Sequence, residues 1–223
     1  MLNAKWPAVR AYVFDLDGTL IDSKMDLVNS VNAMLRTFGR SELSVDTIAG
    51  YIGHGAPRLV ASALSLDVSE ADCQDALAIF LEHYDKHKLD LTRPYPGVLE
   101  ALKALADRPM AVLTNKPTKL SVEILRGLGI AHYFRAIYGG DSFPTKKPDP
   151  SGALAILKGL GATPEQSAMV GDSDVDIQTA RNAGMLAVAV NYGFGQHDPA
   201  LHPADFYLDS LIQLMELTTN LQR

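Results

Sequence analysis

Residues 12–23 read Tyr-Val-Phe-Asp-Leu-Asp-Gly-Thr-Leu-Ile-Asp-Ser. A run of apolar residues stops at Asp15, and Asp17 follows two positions later, ahead of Gly18 and Thr19. Like charges this close repel, and a partly buried carboxylate is costly unless something compensates it. The pattern predicts a buried strand that delivers two acids to its end. If Val13–Phe14 is that strand, both side chains can face one cleft, and a divalent cation would relieve their repulsion. Clustered oxygen ligands with no Cys or His beside them favour Mg2+ over Zn2+. A calcium loop does not fit, because its Gly position falls on Leu20 and its final Glu position on Asp26.

Other short apolar runs end in the same manner. Met110–Leu113 ends at Thr114-Asn115, Ala136–Tyr138 at Gly139-Gly140-Asp141, Ala168–Val170 at Gly171-Asp172-Ser173-Asp174, and Leu186–Val190 at Asn191-Tyr192-Gly193. Helical spacing lies between them, in Val98, Leu99, Leu102 and Leu105 and again in Leu120, Ile124, Leu125 and Leu128. The alternation predicts an α/β fold: a Rossmann-like parallel sheet with helices on both faces. Ligands of such sheets sit beyond the carboxyl ends of the strands. The ends at Asp15/Asp17, Thr114/Asn115, Asp141 and Asp172/Asp174/Asp176 are therefore expected to converge. Asp172 and Asp176 are placed to complete a cation site with Asp15. Asp174 is read instead as an acid at the start of a helix over Val175–Ala183.

Residues 24–92 break the alternation and read as helices only. Leu27, Val28, Val31, Met34, Leu35 and Phe38 form one apolar stripe. Cys73, Ala76, Leu77, Phe80, Leu81 and Tyr84 form another, with Ser69 as its N-cap. The chain returns through Arg93-Pro94-Tyr95-Pro96-Gly97, a stiff turn-forming segment. The expected layout is an inserted all-helical cap domain, residues 23–92, over a catalytic core of residues 1–22 and 93–223, with hinges near Leu20–Ser23 and Leu91–Pro94. Tyr51-Ile-Gly-His-Gly-Ala-Pro-Arg58 is the cap stretch expected at the active site. There His54 or Arg58 would grip a carboxylate on a leaving group. The alternative is that Gly53-His54-Gly55 is only a turn into a helix and Arg58 is solvated.

A net charge of −6 over 223 residues argues against broad attraction to nucleic acid. A single cysteine, Cys73, cannot form an internal disulfide, which fits a reducing cytoplasm. No apolar run approaches the ~20 residues needed to cross a bilayer, and the first residues lack the pattern of a secretion signal. His83 and His87 are four apart on a helix, but Tyr84 stands where a zinc protease needs Glu, so they are read as solvent-facing. Trp6 is read as fixing the N-terminal segment to the core.

Taken together these residues resemble the haloacid dehalogenase superfamily phosphatases that carry a helical cap. All of the superfamily's motifs have a match, in order: Asp15-Leu-Asp17-Gly18-Thr19, then Thr114, then Lys147 before Pro148, then Gly171-Asp172-Ser173-x-x-Asp176. The resemblance implies that Asp15 attacks phosphorus and forms an aspartyl-phosphate. It implies that Asp17 protonates the leaving alcohol and then deprotonates the hydrolytic water. Mg2+ would be held by Asp15, Asp172, the Asp17 carbonyl and, directly or through water, Asp176. Thr114 and Lys147 would bind the phosphoryl oxygens, with Gly18, Thr19 and Asn115 beside the substrate. A carboxylate attacking a phosphate dianion needs such positive charge to offset repulsion.

Within the superfamily the chain is most similar to bacterial phosphoglycolate phosphatases. The shared stretches are Ile52-Gly53-His54-Gly55, Tyr95-Pro96-Gly97-Val98, Thr114-Asn115-Lys116-Pro117, Gly139-Gly140-Asp141, Lys146-Lys147-Pro148-Asp149-Pro150 and Tyr192-Gly193. His54 stands where that family frequently has Asn. The resemblance implies Mg2+-dependent hydrolysis of a small phosphorylated metabolite, 2-phosphoglycolate first, by a monomer or homodimer. A sugar-phosphate or nucleoside-monophosphate phosphatase, a phosphomutase and an inactive metabolite-binding module remain alternatives.

Overall fold

Ala11–Phe14, the first strand (β1), is buried at every residue and sits in the middle of a six-stranded sheet. The computed structural model describes residues 9–67, 71–195 and 197–215, so Trp6 and Ser69 lie outside the described residues. After β1 come β2 (Ile21–Asp22) and the helices α1 (Lys24–Thr37), α2 (Val45–Ala49), α3 (Ala56–Leu64) and α4 (Ala71–His87). The chain then runs through β3 (Arg93–Pro94), α5 (Val98–Ala104), β4 (Met110–Leu113), α6 (Thr118–Gly127), β5 (Ala136–Tyr138) and α7 (Ser151–Leu160). It ends with β6 (Ser167–Gly171), α8 (Asp174–Ala183), β7 (Leu186–Val190) and β8 (Phe206–Leu208).

The main sheet has the order β5-β4-β1-β6-β7-β8, and every neighbouring pair is parallel. The chain leaves β1 to build β4 and β5 on one side, then crosses to build β6, β7 and β8 on the other. That reversal makes the carboxyl end of β1 the topological switch point, where ligands bind in open α/β sheets.

Strand side chains alternate between two apolar layers, as a period of two requires. Tyr12, Phe14, Val112, Val170 and Val188 pack with Leu102 of α5 and Ile124 and Leu125 of α6. Val13, Ala111, Leu113, Met169 and Ala187 pack on the other face with Ile156 and Leu157 of α7 and Ile177 of α8. Burying each large aliphatic side chain contributes about 1.5–3 kcal/mol relative to exposure. The strands are thus hydrophobic on both faces, and only their ends are free to carry charge.

Helices α1 to α4 form an all-helical insertion between β2 and β3. Leu27, Val28, Val31, Met34 and Leu35 of α1 are buried, as are Cys73, Ala76, Phe80 and Tyr84 of α4; Leu77 and Leu81 are partly buried. The Phe80 and Tyr84 rings stack with centroids 5.8 Å apart. Where hinges are expected, β2 and β3 pair antiparallel, Ile21 opposite Pro94 and Asp22 opposite Arg93. The buried carboxylate of Asp26 fastens this crossing. It accepts bonds from Leu91 N (3.0 Å), Thr92 N (2.9 Å) and Thr92 Oγ1 (2.7 Å).

Candidate active site

The acids arrive where β1 and β6 end. The Asp15 N–H still bonds Val170 O at 2.9 Å, so the last rung of the ladder aims the Asp15 side chain. Gly18 then turns the chain at φ +83°, and a Cβ there would lie 1.9 Å from Asp172 Oδ2. Gly193 approaches the same carboxylate from the other side, at 2.4 Å for a Cβ. Backbone without side chains is what lets Asp172 fit beside the first loop.

Asp15, Asp172 and Asp176 are buried, and each offers an oxygen within 4.8 Å of the others. Lys147 Nζ lies between two of them, 2.8 Å from Asp15 Oδ1 and 2.6 Å from Asp176 Oδ1. The Asp15 contact is an ion pair only, since Oδ1 accepts no hydrogen bond of normal geometry. Asp172 is braced by Thr19 Oγ1 (3.2 Å), Phe194 N (3.1 Å) and Gly195 N (2.7 Å). Asp176 Oδ2 accepts from Ser173 N (3.1 Å) and Ser173 Oγ (2.6 Å) at the start of α8.

Crowding has an electrostatic consequence. Burial pushes the Asp15 pKa up to about 6, Lys147 opposes this, and the Asp176 charge adds to it. Burial, with the Asp176 and Asp15 charges, pushes Asp172 up to about 8. For Lys147 burial works against the charge, but Asp15 and Asp176 together hold its pKa above the ordinary value. Three crowded, buried carboxylates that form an all-oxygen donor set suit a hard divalent cation rather than a soft one. Among the described residues this is the one group of His, Cys, Asp or Glu side chains close enough to hold a metal.

Asp17 stands apart from that cluster. Ser23 Oγ donates to its Oδ1 at 2.5 Å, and Lys116 Nζ donates to both its oxygens at 2.9 and 2.8 Å. Lys116 carries no role in the sequence reading beyond its place in Thr114-Asn115-Lys116-Pro117. The signal that marks it is its position at a strand end, three residues into that motif. Its partner Asp17 is far away in sequence, so spacing alone does not pair them.

The site opens into a cleft between the sheet end and the insertion. Asp15, Asp17, Thr114, Asn115 and Asp172 line its floor. Lys147 and Asp176 sit buried just beneath, and Gly18 and Thr19 support Asp172 from the side. Thr114 extends β4, with its N–H on Tyr138 O at 3.0 Å. The Asn115 amide bridges three segments: Nδ2 donates to Gly53 O (2.9 Å) and Lys147 O (3.2 Å), and Oδ1 accepts from Lys147 N (3.1 Å). Its amide therefore spends its bonds on the protein, tying the insertion to the Lys147 loop.

Other expected residues lie elsewhere. His54 and Arg58 are exposed and outside the cleft lining, which Ile52, Gly53, Gly55, Ala56 and Leu59 supply instead. Gly55 is the N-cap of α3 at φ 87°, so this stretch is a turn into a helix. Asp141 does not converge on the site. It accepts from Thr118 N at 2.8 Å and from the Thr118 hydroxyl, capping α6. Asp174 is the first residue of α8 behind the N-cap Ser173, and it holds the following loop through His197 Nδ1 (2.8 Å) and Asp198 N (3.0 Å). His87 faces solvent and pairs with Asp90 at 2.8 Å, while His83 is half-buried, with its ring stacked on His87 at 4.4 Å and Nδ1 3.0 Å from Ser30 Oγ.

A family model described as haloacid dehalogenase-like hydrolase matches residues 12–190. The phosphoglycolate phosphatase of Pseudomonas putida is 41% identical over 197 residues, covering 85% of this chain and 72% of that protein. That of Chromobacterium violaceum is 37% identical over 219 residues, covering 95% of this chain and 97% of that protein. Among solved structures, a crystal structure described as a predicted phosphoglycolate phosphatase from Haemophilus somnus superposes with a TM-score of 0.88 at 32% identity. It covers 95% of this chain and 98% of that one.

Proposed function

The chain belongs to the haloacid dehalogenase-like hydrolases, and from that premise we propose that it hydrolyses a small phosphate monoester through an aspartyl-phosphate, with 2-phosphoglycolate as the substrate. The observation that carries this reading is the arrangement at the end of β1. A buried nucleophile candidate, Asp15, contacts Lys147 and shares a carboxylate cluster, while Asp17 stands apart with a cation of its own. The names of the relatives support phosphoglycolate as the ester.

In this mechanism the Asp15 carboxylate attacks phosphorus in line with the ester oxygen, and the bond from phosphorus to that oxygen breaks. Asp17 acts as the general acid that gives a proton to the leaving oxygen. A water molecule then attacks the aspartyl-phosphate, Asp17 takes its proton, and the Asp15 carboxylate is released with inorganic phosphate. Lys147 and Thr114 hold phosphoryl oxygens, where fixed positive charge and donors matter most in the transition state. Asp15, Asp172, Asp176 and the Asp17 carbonyl would hold Mg2+. When bound, that ion supplies charge neutralisation for phosphoryl oxygens and nucleophile alike.

The helical insertion, residues 23–92, acts as a cap that excludes water and selects the leaving group. Among the described residues no helix is long and apolar enough to cross a membrane, and Cys73 is buried. A cytoplasmic location, with a free metabolite as the partner, belongs to the same proposal. The test is phosphate release with Mg2+ from 2-phosphoglycolate, a hexose phosphate, a nucleoside monophosphate and an aryl phosphate, with Asp15→Asn as control. Preference for phosphoglycolate by roughly 100-fold or more in kcat/KM supports the reading. Equal slow cleavage of all four removes phosphoglycolate, and undiminished cleavage by Asp15→Asn removes the mechanism.

A further inference from the structure

Lys116 stands where the charged floor of the cleft meets its apolar roof. Its side chain is 5% exposed, and its ammonium lies 2.8 Å from Asp17 Oδ2 and 4.6 Å from the centre of the Tyr84 ring. Among the described residues that line the cleft it is the only cation. Burial works against its charge, and the Asp17 carboxylate beside it offsets that cost.

Tyr84 points the same way. It projects from α4 into the cleft lining and is 1% exposed, and its buried hydroxyl, which interacts with Lys116, makes no hydrogen bond of normal geometry. A buried hydroxyl held this poorly is unfavourable, and a ligand oxygen brought beside it and Lys116 supplies a better partner. The walls around it, Leu27, Ile52, Leu59 and Leu81, are carbon only. In surroundings of low dielectric an ammonium acts strongly on an anion brought beside it.

Geometry then decides which anion. On the proposed mechanism Asp17 touches the leaving oxygen. In 2-phosphoglycolate the carboxylate is borne on the carbon next to that oxygen. A cation in contact with Asp17 is thus adjacent to the carboxylate whenever Asp17 is in contact with the leaving oxygen. We infer that the Lys116 ammonium and the Tyr84 hydroxyl form the subsite that selects a leaving group bearing a carboxylate. This rests on the phosphatase reading above. It assigns to Lys116 the role that the sequence pattern suggests for His54 or Arg58. The substrate carboxylate competes with Asp17 for the ammonium and accepts a bond from Tyr84 Oη.

The experiment compares kcat/KM for 2-phosphoglycolate, its neutral counterpart ethyl phosphate and its cationic counterpart O-phosphoethanolamine. It uses wild type, Lys116→Met, Lys116→Arg and Tyr84→Phe, with circular dichroism to check folding. The wild type is expected to prefer them in that order. Lys116→Met should shrink the ratio of phosphoglycolate to ethyl phosphate by roughly 30-fold or more, Lys116→Arg should restore part of it, and Tyr84→Phe should shrink it by roughly 5-fold. A loss spread equally over all three esters leaves the ratio unchanged and makes Lys116 a partner of Asp17 alone, which overturns the inference but not the phosphatase. A wild type that prefers a larger carboxylate ester such as 3-phosphoglycerate, with that preference lost in Lys116→Met, removes phosphoglycolate as substrate and keeps the inference. Calorimetric binding of glycolate in Mg2+ decides the matter without turnover. Binding lost in Lys116→Met supports the subsite; binding absent in wild type or unchanged in the variant overturns it. If Lys116→Met does not fold, the Arg and Phe variants carry the same comparison.

Discussion

On the floor of the cleft, Asp15, Asp17, Asp172 and Asp176 stand at strand ends with Lys116 and Lys147 wedged among them. On the roof, Leu27, Ile52, Leu59 and Phe80 present carbon. The floor concentrates charge that is costly to bury, and the sheet tolerates it because β1, β4 and β6 are apolar on both faces. The roof is built as an ordinary amphipathic bundle turned towards a ligand, with Tyr84 as its polar exception. The difference teaches that one cleft joins two kinds of physics, fixed charge below and apolar shape above, with Lys116 and Tyr84 where they meet. Cross-links join floor and roof: Asn115 to Gly53 O, Lys88 of the insertion to Glu123 of α6 at 3.0 Å, and Lys119 of α6 to Asp85 of α4 at 3.6 Å.

Removing Asp15, the proposed nucleophile, is the largest expected effect. Asp15→Asn should lower kcat for every ester by roughly 10⁴-fold or more, since no other described group sits in its place. Because it also relieves crowding, the variant should melt higher than wild type when cations are chelated. A floor residue that stabilised the roof would give the opposite shift.

Phe80→Ala attacks the roof instead. Phe80 is 1% exposed and stacks on Tyr84, and its removal should cost about 3–5 kcal/mol in denaturant unfolding. The surviving folded enzyme should lose discrimination between esters more than it loses turnover of an aryl phosphate.

Asn115→Ala cuts one bond between the halves and loosens the Lys147 loop. A fall of roughly 10-fold in kcat is expected, with faster proteolysis inside the insertion as the companion readout. Unchanged proteolysis would mean that Asn115 serves the floor alone.

The floor should also respond to pH in a defined direction. Asp15 and Asp172 have pKa values raised from the ordinary 3.8 to about 6 and about 8. Stability from such groups is full below their unfolded values and is lost as pH rises through the folded ones. In chelator, Tm should fall by roughly 3–6 °C between about pH 5.5 and pH 8.5. Saturating Mg2+ should flatten that fall, because a cation favours the ionised acids. The smallest effect belongs to His54→Ala and Arg58→Ala, expected within about 3-fold of wild type in kcat/KM for phosphoglycolate, as for exposed surface changes.

Much of the floor is legible in the chain. Apolar runs ending in polar or Gly-rich residues place β1, β4, β5, β6 and β7, and Asp15, Asp172 and Asp176 do meet. What escapes is short or remote. β2 and β3 have two residues each, too few for a period to register, and the edge strand β8 has no counterpart in the sequence reading. Asp141 has the same local signature as Asp172, yet it caps α6, because β5 is the edge strand on its side of the sheet and lies one strand farther from β1 than β4. Lys116 and Tyr84 look like a loop lysine and a core tyrosine.

The sequence by itself determined the layering, the helical insertion and the acids that gather at the end of β1, because each depends on local periodicity and on where an apolar run stops. Only the tertiary structure decided which residues face the substrate across the cleft. It turned His54 and Arg58 outward and brought Lys116 against Asp17, beneath Tyr84. Such contacts depend on how an insertion seats over a sheet, and that is set by long-range packing and not by any pattern along the chain.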